Sequence, residues 1–195
     1  MNQTKEFSKA IRLFDEANSQ DPTSELHEGK EYPKELLYAI RMTEKLQEFE
    51  PKAEEALGLA VRCQHLRRWE IPRSQYDMNR VGYLKWRNDL KSFHAEKASE
   101  ILKQSGYESD LIDQVRFLLL KKQLKKNKMT QTLEDVICLV FLEFYFEKFS
   151  HKYQEEKLID IVKKTWTKMS DKGQKAALGL PLSDRSLKLI SQALS

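Results

Sequence analysis

Helix-breaking residues are scarce in this 195-residue sequence, which has 6 glycines and 5 prolines against 33% charged residues. A turn-rich sheet needs more of both, and the abundance of Leu, Lys, Glu and Ala favours helices instead. Cysteine is scarcer still: Cys63 and Cys138 each lie in an apolar helical stretch, without the paired spacing of a structural zinc site. They read as buried free thiols in a reducing compartment. A long apolar run is also missing, since VICLVFL at 136–142 is far below the length needed to span a bilayer. With no basic-plus-apolar signal at the N-terminus, these absences predict a cytoplasmic protein with no membrane partner. Nor is there a strong charge of one sign. A formal net charge of +4 and a pI near 8.9 permit an anionic partner without demanding one.

What is present is helical periodicity within a chain long enough for one sizeable core, so the expectation is a single all-α domain over residues 1–195, a compact multi-helix bundle. Phe7, Ala10, Ile11 and Phe14 mark a helix over 4–18. The segment SQDPTSELHEGKEYP then breaks the pattern as a loop. Leu36, Leu37, Ile40, Met42 and Leu46 predict a helix over 34–50, and Pro51 suits the first turn of a third over 51–70. After an irregular stretch come helices over 84–104, stopped by Ser105-Gly106, and 109–122, ending in the basic run KKQLKKNK. Thr132 reads as the N-cap of a nearly all-apolar central helix over 133–149. Helices over 154–170 and 184–194 follow, with turn signals in GQKAALGLPLS between them.

Polar chemistry concentrates in RCQHLRRWEIPRSQY and the residues after it. His65 lies four residues from both Val61 and Trp69, and His94 falls on the row Leu90, His94, Ala98, Leu102, so both imidazoles face the core side of their helices. Each reads as a satisfied core histidine or as a metal ligand. Asp135 would sit in the first turn after Thr132, where a carboxylate favours the free N–H groups and the helix dipole. Glu143 is the sole charged residue from Val136 to Phe146. Burying it demands a cation, a metal or hydrogen-bond donors. Arg68, Trp69, Arg73, Tyr76, Arg80, Tyr83, Trp86 and Arg87 crowd into one short region. Planar bidentate guanidinium groups suit phosphate, and aromatic rings could stack a base; the same groups could also knit the loop to Glu70, Asp77 and Asp89.

The strings RCQHLRRWEIPR, GYLKWRNDL, FHAEKASEIL and TLEDVICLVFLEF resemble the hallmark segments of the domain-of-unknown-function 4202 family, over nearly the whole chain. A looser pattern, a helix ending in AVRCQH, an Arg-rich loop, then HAEKASEIL and VRFLLL, is similar to the start of HD-type hydrolases acting on guanosine tetraphosphate. That likeness implies that the all-α domain is HD-like, where the residues alone leave an orthogonal bundle open, and a metal on His65 that activates water for attack on phosphorus, with the arginines holding a nucleotide. Where those enzymes carry His-Asp after the apolar segment, this chain has Lys121-Lys122. The expectation is therefore a metal-dependent phosphohydrolase acting on a phosphorylated or nucleotide-like small molecule. A divalent metal of unknown identity would sit on His65, His94 and Asp135, Glu143 would act catalytically, and the Arg/Trp loop would hold the substrate. The alternative is a non-catalytic nucleotide- or RNA-binding helical module.

Overall fold

The structure is a computed structural model, described here for residues 4–194. It is an all-α single domain, with residues 1–3 and 195 outside the described part. Helix α1 spans Lys5–Asn18 and is capped by Thr4, whose side chain accepts from the Phe7 N–H. The predicted loop that follows contains a small antiparallel hairpin, β1 (Ser24–His27) with β2 (Lys30–Pro33). Gly29 turns it at φ +77°, in the left-handed region that favours glycine. Helix α2 (Lys34–Phe49) starts directly from β2.

Helix α3 covers only Glu55–Cys63, so the helix expected over 51–70 is shorter at both ends. The chain leaves it in a turn, and Arg67 adopts the left-handed region at φ 52°. The Arg67 N–H is taken by the buried Asn18 side chain at 2.9 Å, while the Asn18 amide donates to the Glu35 carbonyl. One buried amide thus fixes the exit of α3 against the start of α2. Short 3-10 turns follow at Arg68–Glu70 and Arg73–Gln75.

Helix α4 runs over Arg80–Ser105, four residues earlier than the apolar row suggested, because Asn79 caps it by accepting the Gly82 N–H. Gly82 has no room for a Cβ, which would lie 2.2 Å from the Asp77 carbonyl oxygen. Helix α5 (Ser109–Leu119) gives way to a turn in which Lys121, Gln123 and Lys125 all have positive φ. The next helix does not begin at Thr132. Helix α6 (Lys128–Val140) is capped by Asn127, and the Thr132 hydroxyl instead donates to the Lys128 carbonyl inside the helix. The predicted continuous helix to residue 149 is interrupted by a π-turn at Phe141–Tyr145 before α7 (Phe146–Ser150).

Helix α8 (Glu155–Lys168) is followed by a helix that the sequence reading took for turns, α9 (Asp171–Leu178), and by α10 (Asp184–Leu194). The core has two adjoining parts that meet at α6. One gathers Phe14, Met42, Leu59, Leu66, Leu102, Leu118 and Leu133 from α1 to α6. The other gathers Leu139, Leu142, Phe146, Leu158, Val162 and Ile190 from α6 to α10. Among the described residues no helix is long and apolar enough to cross a membrane.

Candidate functional site

Helix α2 carries an unusual stripe. Glu35, Tyr38, Arg41 and Lys45 recur at near-helical spacing and are all buried on the inner side of the helix. Burying them requires partners, and α3, the Arg-rich turn and α6 with its π-turn supply them. Toward the C-terminal end, Arg41 donates to Glu25 at 2.7 Å and to the Tyr145 hydroxyl at 2.9 Å. Lys45 lies 2.7 Å from Glu143. The lone carboxylate of the apolar helix is therefore answered by a lysine of this chain, and the π-turn is what presents Glu143 and Tyr145 to α2.

The N-terminal end of the stripe meets His65. Its Nδ1 is 3.1 Å from Glu35 Oε2, its ring stacks on Tyr38 at 4.0 Å and 13°, and the Tyr38 hydroxyl donates to Gln64 at 2.9 Å. Arg68 Nη1 lies 2.6 Å from His65 Nε2. A guanidinium can only donate, so Nε2 accepts and Nδ1 carries the proton toward Glu35, which makes the imidazole neutral in this arrangement. His94 joins from α4 with its ring 5.8 Å from that of His65. It is hydrogen-bonded to the Gln64 backbone, while its Nε2 is buried without a hydrogen-bonding partner among the described residues.

Around the two imidazoles stand more cations than carboxylates. Arg87 and Lys91 occupy successive turns of the α4 face that bears His94. Lys121 reaches in from its left-handed position at φ 54° and pairs with Glu134. Arg68 lies over the Trp86 ring at 5.1 Å, and the Trp86 indole donates to the Ile71 carbonyl at 2.9 Å. Arg87, half-buried, has no hydrogen bond or ion pair among the described residues. It nevertheless acts electrostatically on Tyr38, His65, Arg68, Lys91, His94, Lys121 and Glu134.

Burial followed by the nearby Arg68 and Arg87 holds His65 well below the usual imidazole range. Burial, then His65 and the same arginines, does so for His94. Burial also lowers Lys121 against the pull of Glu134, and lowers Lys91, where Arg87 adds to it. Burial raises the Glu35 carboxyl, opposed by Arg68 and Lys34. For Glu134 burial acts upward, but Lys121, Lys168 and Arg87 outweigh it and keep the carboxyl below its usual range.

The depressed histidines give the fold a specific acid response. Below about pH 6.5 the unfolded chain takes up protons that the folded imidazoles refuse, so stability drops as pH falls from there and levels off below the folded values. The slope is up to about 1.4 kcal/mol per pH unit for each histidine. Urea unfolding between about pH 7 and pH 5 should show it, and a combined His65→Gln and His94→Gln variant should flatten it.

Of the residues singled out by sequence, His65, His94, Arg68, Trp86 and Arg87 come together. Tyr83 lies at the rim, with its ring 5.9 Å from Trp86. Asp135 does not join them: it accepts from the Ser170 N–H at 2.8 Å, the Ser170 hydroxyl at 2.6 Å and Gln131 at 3.0 Å. Its position as a first-turn residue after Thr132 is likewise corrected, because α6 starts at Lys128. Arg73 donates to the carbonyls of Tyr76, Asp77 and Asn79, and the Tyr76 hydroxyl donates to Asp89. These two knit the loop. Arg80 is exposed, and Trp69 is half-buried without a hydrogen bond or ring contact among the described residues.

Glu35, Tyr38, Gln64, Lys91, Lys121 and Glu134 belong to the cluster and were not picked out by sequence. The one legible trace was a polar stripe on α2 interleaved with its apolar row. Among the described residues no three or more His, Cys, Asp or Glu side chains are arranged to hold a metal ion. Glu35 is engaged by His65, Glu134 by Lys121 and Asp135 by Ser170.

No curated protein and no solved structure matches the chain, so the likeness to HD-type hydrolases gains no support from either comparison. A family model does match, over residues 8–190. The chain belongs to that family, described as a domain of unknown function, DUF4202.

Proposed function

We propose that this chain binds a phosphorylated, nucleotide-like small molecule among Arg68, Arg87, Lys91 and Lys121. The observation that carries the reading is Arg87, a half-buried guanidinium without a hydrogen-bonding partner among the described residues, set among other cations. Like charges at such a place repel in a medium of reduced dielectric, and an anion seated between them offsets that cost. Two guanidinium groups suit bidentate contact with phosphate oxygens, and the ammonium groups add point charges. Tyr83 at the rim, exposed beside the buried Trp86, offers a ring face to a base.

Metal-assisted phosphoester hydrolysis is the second reading. The observation in its favour is the pair of neutral imidazoles with rings 5.8 Å apart, the form in which histidine binds metals. Asp135 does not complete that set, because Ser170 and Gln131 already use both of its oxygens. The described residues therefore fit a bound anion better than a metal held by three protein ligands.

Thermal-shift titration with inorganic pyrophosphate and with nucleoside phosphates tests the first reading. At least one should raise the melting temperature, and Arg87→Gln should weaken its binding by about tenfold or more, equivalent to about 1.4 kcal/mol. The same variant should leave ligand-free stability within about 0.5 kcal/mol of wild type, since it breaks no internal pair. If no phosphorylated compound shifts the transition, the reading fails. Phosphate release that depends on added divalent metal would favour the second reading. Binding of RNA in place of small molecules would show as a steep fall of affinity with salt.

A further inference from the structure

The charge and depth of the cluster narrow the ligand class, given the anion-binding reading above. The cations Lys34, Arg68, Arg87, Lys91 and Lys121 outnumber the carboxylates Glu35 and Glu134. Arg68 and Lys121 are sunk, with 22% and 12% of their side chains exposed beside His94 at 4%, while Arg87 and Lys91 are half-buried and Lys34 lies at the surface. They arrive from separate elements, the start of α2, the 3-10 turn, α4 and the turn after α5. To meet Arg68 and Lys121 together with the half-buried Arg87 and Lys91, a guest has to reach inward with one end, which a chain lying along the surface does not do.

Depth also makes the guest's charge count. In water a second charge adds little attraction, whereas the same charge among partly buried cations adds several times as much. A phosphodiester carries a single charge, and both of its flanks are occupied by substituents. A terminal phosphomonoester carries two charges above neutral pH and leaves three oxygens free for donors. The donors match that demand. Among the described residues Arg87 has no hydrogen-bonding partner, and Arg68 has only His65, the more distant Glu35 and the Trp86 ring face. His94 Nε2, one ring away from His65, is buried without a hydrogen-bonding partner among the described residues; with the other ring nitrogen donating to the Gln64 backbone, it is an open acceptor beside these donors.

We infer that the site takes a terminal, doubly charged phosphomonoester end-on, seated against Arg68, Arg87, Lys91 and Lys121, and discriminates against phosphodiesters. The polymer backbone of RNA is thereby excluded as the seated group, and the phosphorylated end of a small molecule is selected.

Methyl phosphate and dimethyl phosphate test this, since they differ by one methyl group and one charge. Titration calorimetry of the full chain at about pH 8, where the monoester is a dianion, should give binding of methyl phosphate at least about tenfold tighter than of dimethyl phosphate. The ratio should shrink toward one in Arg87→Gln. Lys91→Gln, which breaks no ion pair, provides an independent variant and should reduce the ratio as well. Equal affinities, or a preference for the diester, would overturn the inference while leaving anion binding in place. Absence of binding by methyl phosphate, dimethyl phosphate and inorganic phosphate alike would overturn both.

Discussion

Replacing Glu134 with leucine is expected to destabilise the fold by about 3–5 kcal/mol, because it leaves Lys121 charged and unpaired in the interior. Both members of the pair are sunk, Lys121 with 12% and Glu134 with 4% of the side chain exposed. Of the neighbouring cations, Lys168 reaches Glu134 only at 4.0 Å, and Arg87 repels Lys121. The removed carboxylate is thus the principal compensation for the ammonium group. Lysine has one escape, which is to lose its proton. In Glu134→Leu the folded Lys121 should titrate lower still, so the loss of stability should be greatest near neutral pH and should shrink as pH rises toward about 10. Adding Lys121→Met removes the buried charge and should recover most of the loss, since paired apolar side chains of similar volume replace buried ion pairs at little cost. Urea midpoints for the two single variants and the double variant check this. The double variant should also bind phosphate more weakly than wild type, which separates the role of Lys121 in the cluster from its part in the fold.

Asp135→Ala should cost about 2–4 kcal/mol while leaving ligand and metal affinity unchanged. The Asp135 carboxylate is 2% exposed and accepts from the Ser170 N–H, the Ser170 hydroxyl and the Gln131 amide. Ser170 in turn caps α9 by accepting the Gly173 N–H at 3.1 Å. Removing the carboxylate leaves buried donors unsatisfied and loosens the cap, and the two costs fall on the same contact between α6 and α9. Gly173 belongs to the same joint, because a Cβ there would lie 2.6 Å from Asp135 Oδ1. Denaturation together with metal titration distinguishes the roles. A stable Asp135→Ala protein that has lost a tightly bound divalent ion would restore Asp135 as a ligand and overturn the structural assignment.

Sequence periodicity located most of the helices, because an apolar row at 3.6-residue spacing has few other ways to be buried. It failed where local side-chain chemistry sets the boundary. Asn79 and Asn127 start α4 and α6 earlier than their apolar rows, and Asn18 stops the continuation of α3 by taking the Arg67 N–H from 49 residues away. Helix α9 was read as turns because Gly173 signals one, whereas the glycine serves close packing against Asp135. The same division runs through the candidate site. His65 and His94 were legible because each is a polar residue on a core-facing row. Glu35, Lys121 and Glu134 were not, since charged residues at a helix start or beside a basic run look solvated until the fold buries them.

By itself the sequence determined the all-α class, two buried imidazoles and a local excess of arginine, all of which follow from composition and spacing along the chain. The tertiary structure alone decided which charges are cancelled. Glu143 met Lys45, Glu134 met Lys121, Asp135 was met by the Ser170 hydrogen bonds instead of a cation, and Arg87 was left without a hydrogen-bonding partner among the described residues. The physical reason is that pairing depends on distances of a few ångströms between segments up to a hundred residues apart, which no local pattern encodes.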